Sequence, residues 1–163
     1  MKKLKRIIAV TLLLFVASIQ FVNAQSRESE MQRFFSSDSN LPYRVICRLA
    51  HPTNTFKGGS CSVYGDNVEI TIRGEGWFGD IYRLKIRLHQ SGNRFDELKV
   101  ISDEDPISPF MVSEVAKNYA NDIYSDYHSD TIAMIEYVYG QRLRDMNARQ
   151  MCLAVLTLLF WSY

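Results

Sequence analysis

Disulfide scaffolds, metal-binding motifs and the usual nucleophile signatures are all missing from this chain. Three cysteines and three histidines in 163 residues are too few for a cystine framework. There is no CxxC, HExxH or GxSxG and no phosphate-cradling glycine loop. An excess of one charge is missing too, with 19 basic against 18 acidic side chains and a net charge of +1. Removing residues 1–24 takes away Lys2, Lys3, Lys5 and Arg6 and no acid, which moves that net charge from +1 to −3. Nucleic-acid binding through bulk positive charge is therefore excluded. No apolar run reaches the ~20 residues that span a bilayer. What is present is ordinary for one globular domain: 47% hydrophobic and 23% charged residues. That balance excludes a disordered polymer, a collagen-like repeat and a polytopic membrane protein.

Residues 1–24 divide into three parts. A basic start (Lys2, Lys3, Lys5, Arg6) precedes an apolar run from Ile7 to Ile19, and Val22-Asn23-Ala24 then offers a small residue before Gln25. Charge retained in the cytoplasm, an apolar translocon segment and a small residue for the peptidase pocket make a cleaved signal peptide. The expected product is exported, periplasmic or secreted, and has no stable membrane span after cleavage. No cysteine follows the apolar run, so lipid anchoring is not expected.

Export implies a disulfide-permissive compartment. Cys47 and Cys61 are equidistant from Asn54 in the turn-rich string His51-Pro-Thr-Asn54. If both flanks are extended, a hairpin about that turn sets the two thiols opposite each other, within bridging distance. A Cys47–Cys61 disulfide is therefore expected, leaving Cys152 as a buried small hydrophobe in an apolar run.

Residues 25–40 are polar and Ser-rich apart from Met31, Phe34 and Phe35 and read as a tether; residues 41–163 read as a single α+β domain. Extended segments are expected over 41–50, 56–64, 68–73, 82–89 and 95–101. Val68-Glu-Ile-Thr-Ile-Arg73 and Tyr82-Arg-Leu-Lys-Ile-Arg-Leu-His89 alternate strictly, giving one buried and one wet face. Pairing them about Trp77 sets Ile72 opposite Tyr82, Ile70 opposite Leu84 and Val68 opposite Ile86. Periodicity turns helical after Ser108-Pro109, with the stripe Val112, Val115, Ala116, Tyr119, Ala120, Ile123 and Tyr127. A second helix is expected from Ser129 or Asp130, with Asp130 as its cap and Ile132, Ile135, Tyr139, Leu143 and Met146 as its stripe. Strands first and helices second predict a five-stranded up-and-down antiparallel meander, covered on one face by two or three helices.

Four features could carry chemistry. Gly74-Glu-Gly-Trp-Phe-Gly-Asp80 places Trp77 and Phe78 in a glycine-rich loop between two strands. Such aromatics either anchor a partner or fold back to cap the sheet. Arg83, Lys85 and Arg87 share one wet face with Arg73 and Lys99, against Glu69 and Glu97. That row could grip phosphate or carboxylate groups, or it is a solvated face whose charges discourage edge pairing. Met151 to Trp161 is nearly all apolar yet covers only about 17 Å as a helix, so it reads as a core element or a docking tail. Asp126-Tyr-His-Ser-Asp130 departs from the calcium-loop pattern, because Thr131 and Tyr137 stand where its Gly and Glu are needed. No metal or other cofactor is expected.

The expectation is a non-enzymatic exported module that binds an envelope component or a protein partner through the aromatic loop, a sheet edge or the apolar tail, and binds no nucleic acid. The alternative is a small envelope hydrolase with Cys152 or Ser60 as nucleophile and His128 or His89 as base.

Overall fold

A computed structural model describes residues 23, 25–52, 55–76, 78–104 and 108–163. The leader reading therefore rests almost entirely on residues outside the described ones, and so does Trp77. The fold is α+β. Among the described residues it contains four strands rather than five, and five α-helices rather than two or three.

Two helices precede the sheet. The first, α1 over 25–35, buries Met31, Phe34 and Phe35 at 0%, 3% and 0% exposure. These three sit one turn apart on one helix face, so the segment expected to be a tether is a core helix. The second, α2 (Leu41–Ala50), replaces the expected first strand. Pro42 stands in its first turn, where a missing N–H costs nothing. Pro42, Val45, Ile46, Leu49 and Ala50 recur at helical spacing and are buried.

The four strands follow in up-and-down antiparallel order: β1 (Thr55–Tyr64), β2 (Asn67–Glu75), β3 (Ile81–Ser91) and β4 (Arg94–Asp103). Residues 68, 70 and 72 of β2 and 82, 84, 86 and 88 of β3 are buried, and their neighbours face solvent. The expected faces hold, but the expected register is two residues off. Ile72 pairs with Leu84, Ile70 with Ile86 and Val68 with Leu88, while Gly74 stands opposite Tyr82. A slip of two leaves every side chain on its own face, so alternation alone cannot detect it. Shape decides the matter: a Cβ at Gly74 would lie 2.1 Å from Tyr82 Cε1, so only glycine lets the phenol ring cross there.

Three helices close the core: α3 (Ser113–Asp126), α4 (Ser129–Tyr139) and α5 (Ala148–Trp161), with a 3₁₀ turn at Leu143–Asp145. The start of α3 is later than Ser108-Pro109 predicts. Phe110 takes a φ of 63° and donates its N–H to Ala50 O at 3.1 Å, which pins the chain to the end of α2 first. At the next start, His128 rather than Asp130 is the cap; its Nδ1 accepts from Asp130 N. Gly140, at φ 62°, ends α4, so Leu143 and Met146 are buried from the 3₁₀ turn and its flank, not from a continuous helix. A reciprocal Asn147/Gln150 capping box starts α5. Its residues 151–158 are all buried, packed among α2, α3, α4 and β4. Each such leucine contributes roughly 1.5–3 kcal/mol of burial. The apolar run is thus the central core helix and presents no free docking tail, save for half-buried Phe160 and Trp161 and exposed Tyr163 at its end.

The expected disulfide is corrected by the same facts. Cys47, Cys61 and Cys152 are all free thiols. A hairpin about Asn54 needs two extended arms, and Cys47 lies on a helix. Its Sγ faces the Tyr82 hydroxyl at 3.1 Å, whereas Cys61 sits on β1 opposite Ile70, hydrogen-bonded to Tyr43.

Candidate functional site

The wet face of β2 and β3 carries the row of cations, and the structure sorts them into two groups. In the first, Glu69 Oε1 accepts from Arg87 Nη2 at 2.7 Å and Glu69 Oε2 lies 3.1 Å from Lys85 Nζ. Arg87 Nε also donates to the Tyr64 hydroxyl at 3.1 Å. Hydrogen bonds from Arg87, Tyr64 and Lys85 hold the Glu69 carboxyl well below the usual range, at about 2. Lys85 and Arg87 therefore share one carboxylate, which offsets half of their charge. Lys99 pairs with Arg87 across the β3–β4 ladder, and His89 Nδ1 lies 2.6 Å from Asp96 Oδ1.

The second group is Arg73 and Arg83. They stand directly opposite each other on β2 and β3, both exposed. Among the described residues neither side chain meets a carboxylate. Beside them β1 offers Gly58 opposite Arg73 and Ser60 opposite Thr71. Gly58, Gly59, Ser60, Thr71, Arg73 and Arg83 together line a surface concavity of about 390 Å³.

One step further along the same face the sheet ends in the β2–β3 loop. Glu75 pairs with Ile81 across the ladder and forms an ion pair with Lys57, which occupies a bulge in β1. Gly76 N donates to Asp80 O at 2.8 Å and Gly79 N to Gly76 O at 3.1 Å, which closes a tight loop. Phe78 at the loop tip is 91% exposed and Ile81 is 60% exposed. Phe78 does not fold back over the sheet. The end of the hairpin thus presents an apolar tip beside two guanidinium groups that make no ion pair among the described residues.

The proposed hydrolase residues are not brought together. Cys152 is fully buried on α5, and burial pushes its thiol well above the ordinary range, so it holds no thiolate. The His128 side chain is 78% exposed at the start of α4. Ser60 is in register with Thr71 and His89 with Asn67, four residues apart along β2 or about 13 Å. No group of three His, Cys, Asp or Glu among the described residues could hold a metal ion. Nor is any helix among them long and apolar enough to cross a membrane.

One polar cluster left no mark in the sequence pattern. His51, 1% exposed, sets Nε2 3.4 Å from Asp103 Oδ1, and its ring meets Tyr82 edge-on at 4.7 Å. The Tyr82 hydroxyl in turn meets Cys47. The cluster ties the end of α2 to β3 and β4. Burial raises the Cys47 thiol above its ordinary range, so it ties elements together and supplies no nucleophile. The chain matches no protein-family model, no curated protein and no solved structure.

Proposed function

We propose that this chain is an exported, non-enzymatic binding module that engages an envelope partner through the β2–β3 end of its sheet. The observation that carries this reading is Phe78, a large aromatic held at 91% exposure on a short hydrogen-bonded loop, with Ile81 exposed beside it. Solvent exposure of such a ring is unfavourable on its own and becomes favourable when a partner covers it. Export is supported by the basic start, the apolar run from Ile7 to Ile19 and the small residue at Ala24. The sheet edge and the α5 tail are weaker as partner surfaces: β1 has no exposed apolar anchor comparable to Phe78, and α5 is consumed by the core.

The test is a photoreactive phenylalanine analogue placed at Phe78 in the exporting cell, with the same analogue at Met111 as a control. Met111 is also apolar and is 72% exposed, but it belongs to a different segment, just before α3. A discrete crosslinked species at Phe78 and none at Met111 is the expected result. Equal labelling at both positions, or none at Phe78, overturns the reading. N-terminal sequencing of the exported species is expected to begin at Gln25.

A further inference from the structure

The geometry points to a phosphate site at Arg73 and Arg83, serving the phosphate headgroup of an anionic amphiphile whose apolar part meets Phe78 and Ile81. This rests on the reading of the β2–β3 end as the binding surface and names the chemistry that it recognises. Four observations carry it.

Like charges directly opposite each other on neighbouring strands repel. Arg73 and Arg83 do so without an ion pair among the described residues, although Glu104 adjoins Arg83 through its backbone N–H, 3.0 Å from Arg83 O, whereas Lys85 and Arg87 on the same face share Glu69. A bound anion removes that repulsion. Edge protection does not account for the pair either. The strand order is β1-β2-β3-β4, so β2 and β3 are inner strands whose ladders are already occupied on both sides.

The floor beside the pair is low and polar. Gly58 raises no side chain on this face, where a Cβ would be in ordinary contact with Arg73 Nη2 at 3.5 Å, while Gly59 turns its bare Cα toward the Tyr43 ring on the other face. Ser60 and Thr71 add hydroxyl donors on the same concavity of about 390 Å³. A planar carboxylate is satisfied by one guanidinium fork. Two forks rising from adjacent strands, with hydroxyls beside them on β1 and β2, match a tetrahedral oxyanion that offers oxygens in several directions.

The apolar tip is adjacent. Ile81 and Arg83 are separated by one pleat on the same face of β3, about 7 Å, and Phe78 stands just beyond. A ligand that placed a phosphate on the arginines would bring whatever it carries next to exposed aromatic and aliphatic surface. A phospholipid headgroup at a bilayer surface has that combination of anion and apolar neighbour.

The experiment is co-sedimentation of the chain, purified as the host processes it, with phosphatidylglycerol vesicles and with neutral phosphatidylcholine vesicles at physiological salt. Soluble glycerol 3-phosphate serves as a competitor. Wild type is expected to favour phosphatidylglycerol. Arg73→Gln/Arg83→Gln should lose tenfold or more of that binding with its thermal stability undiminished, since both side chains are exposed and their mutual repulsion is removed. Lys85→Gln, already paired to Glu69, should lose little. Phe78→Ala should weaken binding to phosphatidylglycerol yet keep the preference for it over phosphatidylcholine. Equal binding to both vesicles, or an unaffected double variant, overturns the phosphate site while leaving the Phe78 crosslink to decide the broader reading. Arginine-dependent binding of glycerol 3-phosphate without vesicle binding overturns the amphiphile and reassigns the site to soluble phosphate esters.

Discussion

The Tyr139 hydroxyl lies 2.7 Å from Thr157 Oγ1, and both oxygens also hold the backbone of Phe95. Phe95 N donates to Thr157 Oγ1 at 3.0 Å, and the Tyr139 hydroxyl donates to Phe95 O at 2.5 Å. With the Thr157 hydroxyl donating to Tyr139 the ring closes, and the single Tyr139 hydrogen is shared between Phe95 O and Leu153 O, the latter at 3.0 Å. That ring fastens the start of β4 to α4 and α5. In a low-dielectric interior such bonds reinforce one another.

Removing one member strands buried partners. Tyr139→Phe and Thr157→Val are each expected to cost about 1–3 kcal/mol. The double variant should cost clearly less than the sum, because the second change removes groups that the first has already orphaned. Urea unfolding of the three variants measures this directly, and simple additivity would falsify the ring.

The Gly74–Tyr82 pair gives a test of register. Gly74→Ala drives a Cβ into the Tyr82 ring, which cannot swing freely between Cys47 and His51. The expected loss is about 1–3 kcal/mol, the usual cost of overpacking a core. In the register read from alternation alone, Gly74 faces the loop, and the substitution would be close to neutral.

Those two sites also show why some of the fold was legible in the sequence and some was not. Period-two alternation in β2 and β3 is a direct imprint of a sheet with one wet face, so strands and faces could be read correctly. Register needed a packing fact, the ring of Tyr82 over Gly74, that no pattern of hydrophobicity encodes. The Leu41–Ala50 segment was misread because Tyr43, Val45, Ile46 and Cys47 favour strands by type. The helical spacing of Pro42, Val45, Ile46, Leu49 and Ala50 was present all the same, and so was the proline at its start. In α1, Met31, Phe34 and Phe35 offered the same cue amid serines. At the candidate site, Phe78 could be picked out because it lies between glycines. Which cations find a carboxylate depends on which strand neighbour carries Glu69, and that follows only from the ladder.

Thiol chemistry separates the three cysteines. Cys61 is half-buried, whereas Cys47 and Cys152 are buried at 1% and 0% exposure. A thiol reagent at neutral pH is expected to modify Cys61 first in the folded protein, with the other two reacting only on unfolding. Mass analysis after labelling in denaturant without reductant should count three thiols. A count of one would restore a disulfide and contradict the helical placement of Cys47.

Acid should act on Glu69. Its carboxyl titrates near 2 in the folded protein, held down first by Arg87, against about 4.3 in an unfolded chain. A depressed carboxylate favours folding above its unfolded value, and that contribution fades as the pH falls from about 4.3 through 2. Because the group faces solvent, the effect on stability is small and is best followed as a carboxyl chemical shift. Arg87→Gln should move the midpoint upward; an unmoved midpoint would show that Arg87 is not its main partner.

The packing of α2 against α5 also has a consequence in time. The apolar stripe of α2 is covered by a helix that begins about a hundred residues later in the chain. At ribosomal rates of roughly 5–20 residues per second, that delay is on the order of 5–20 s. The hairpins from β1 to β4 can close as they emerge, since each joins immediate neighbours. During that interval α1 and α2 have no completed core to enter. The nascent chain therefore stays open and soft, in the state that a chaperone can hold and a translocation pore can thread.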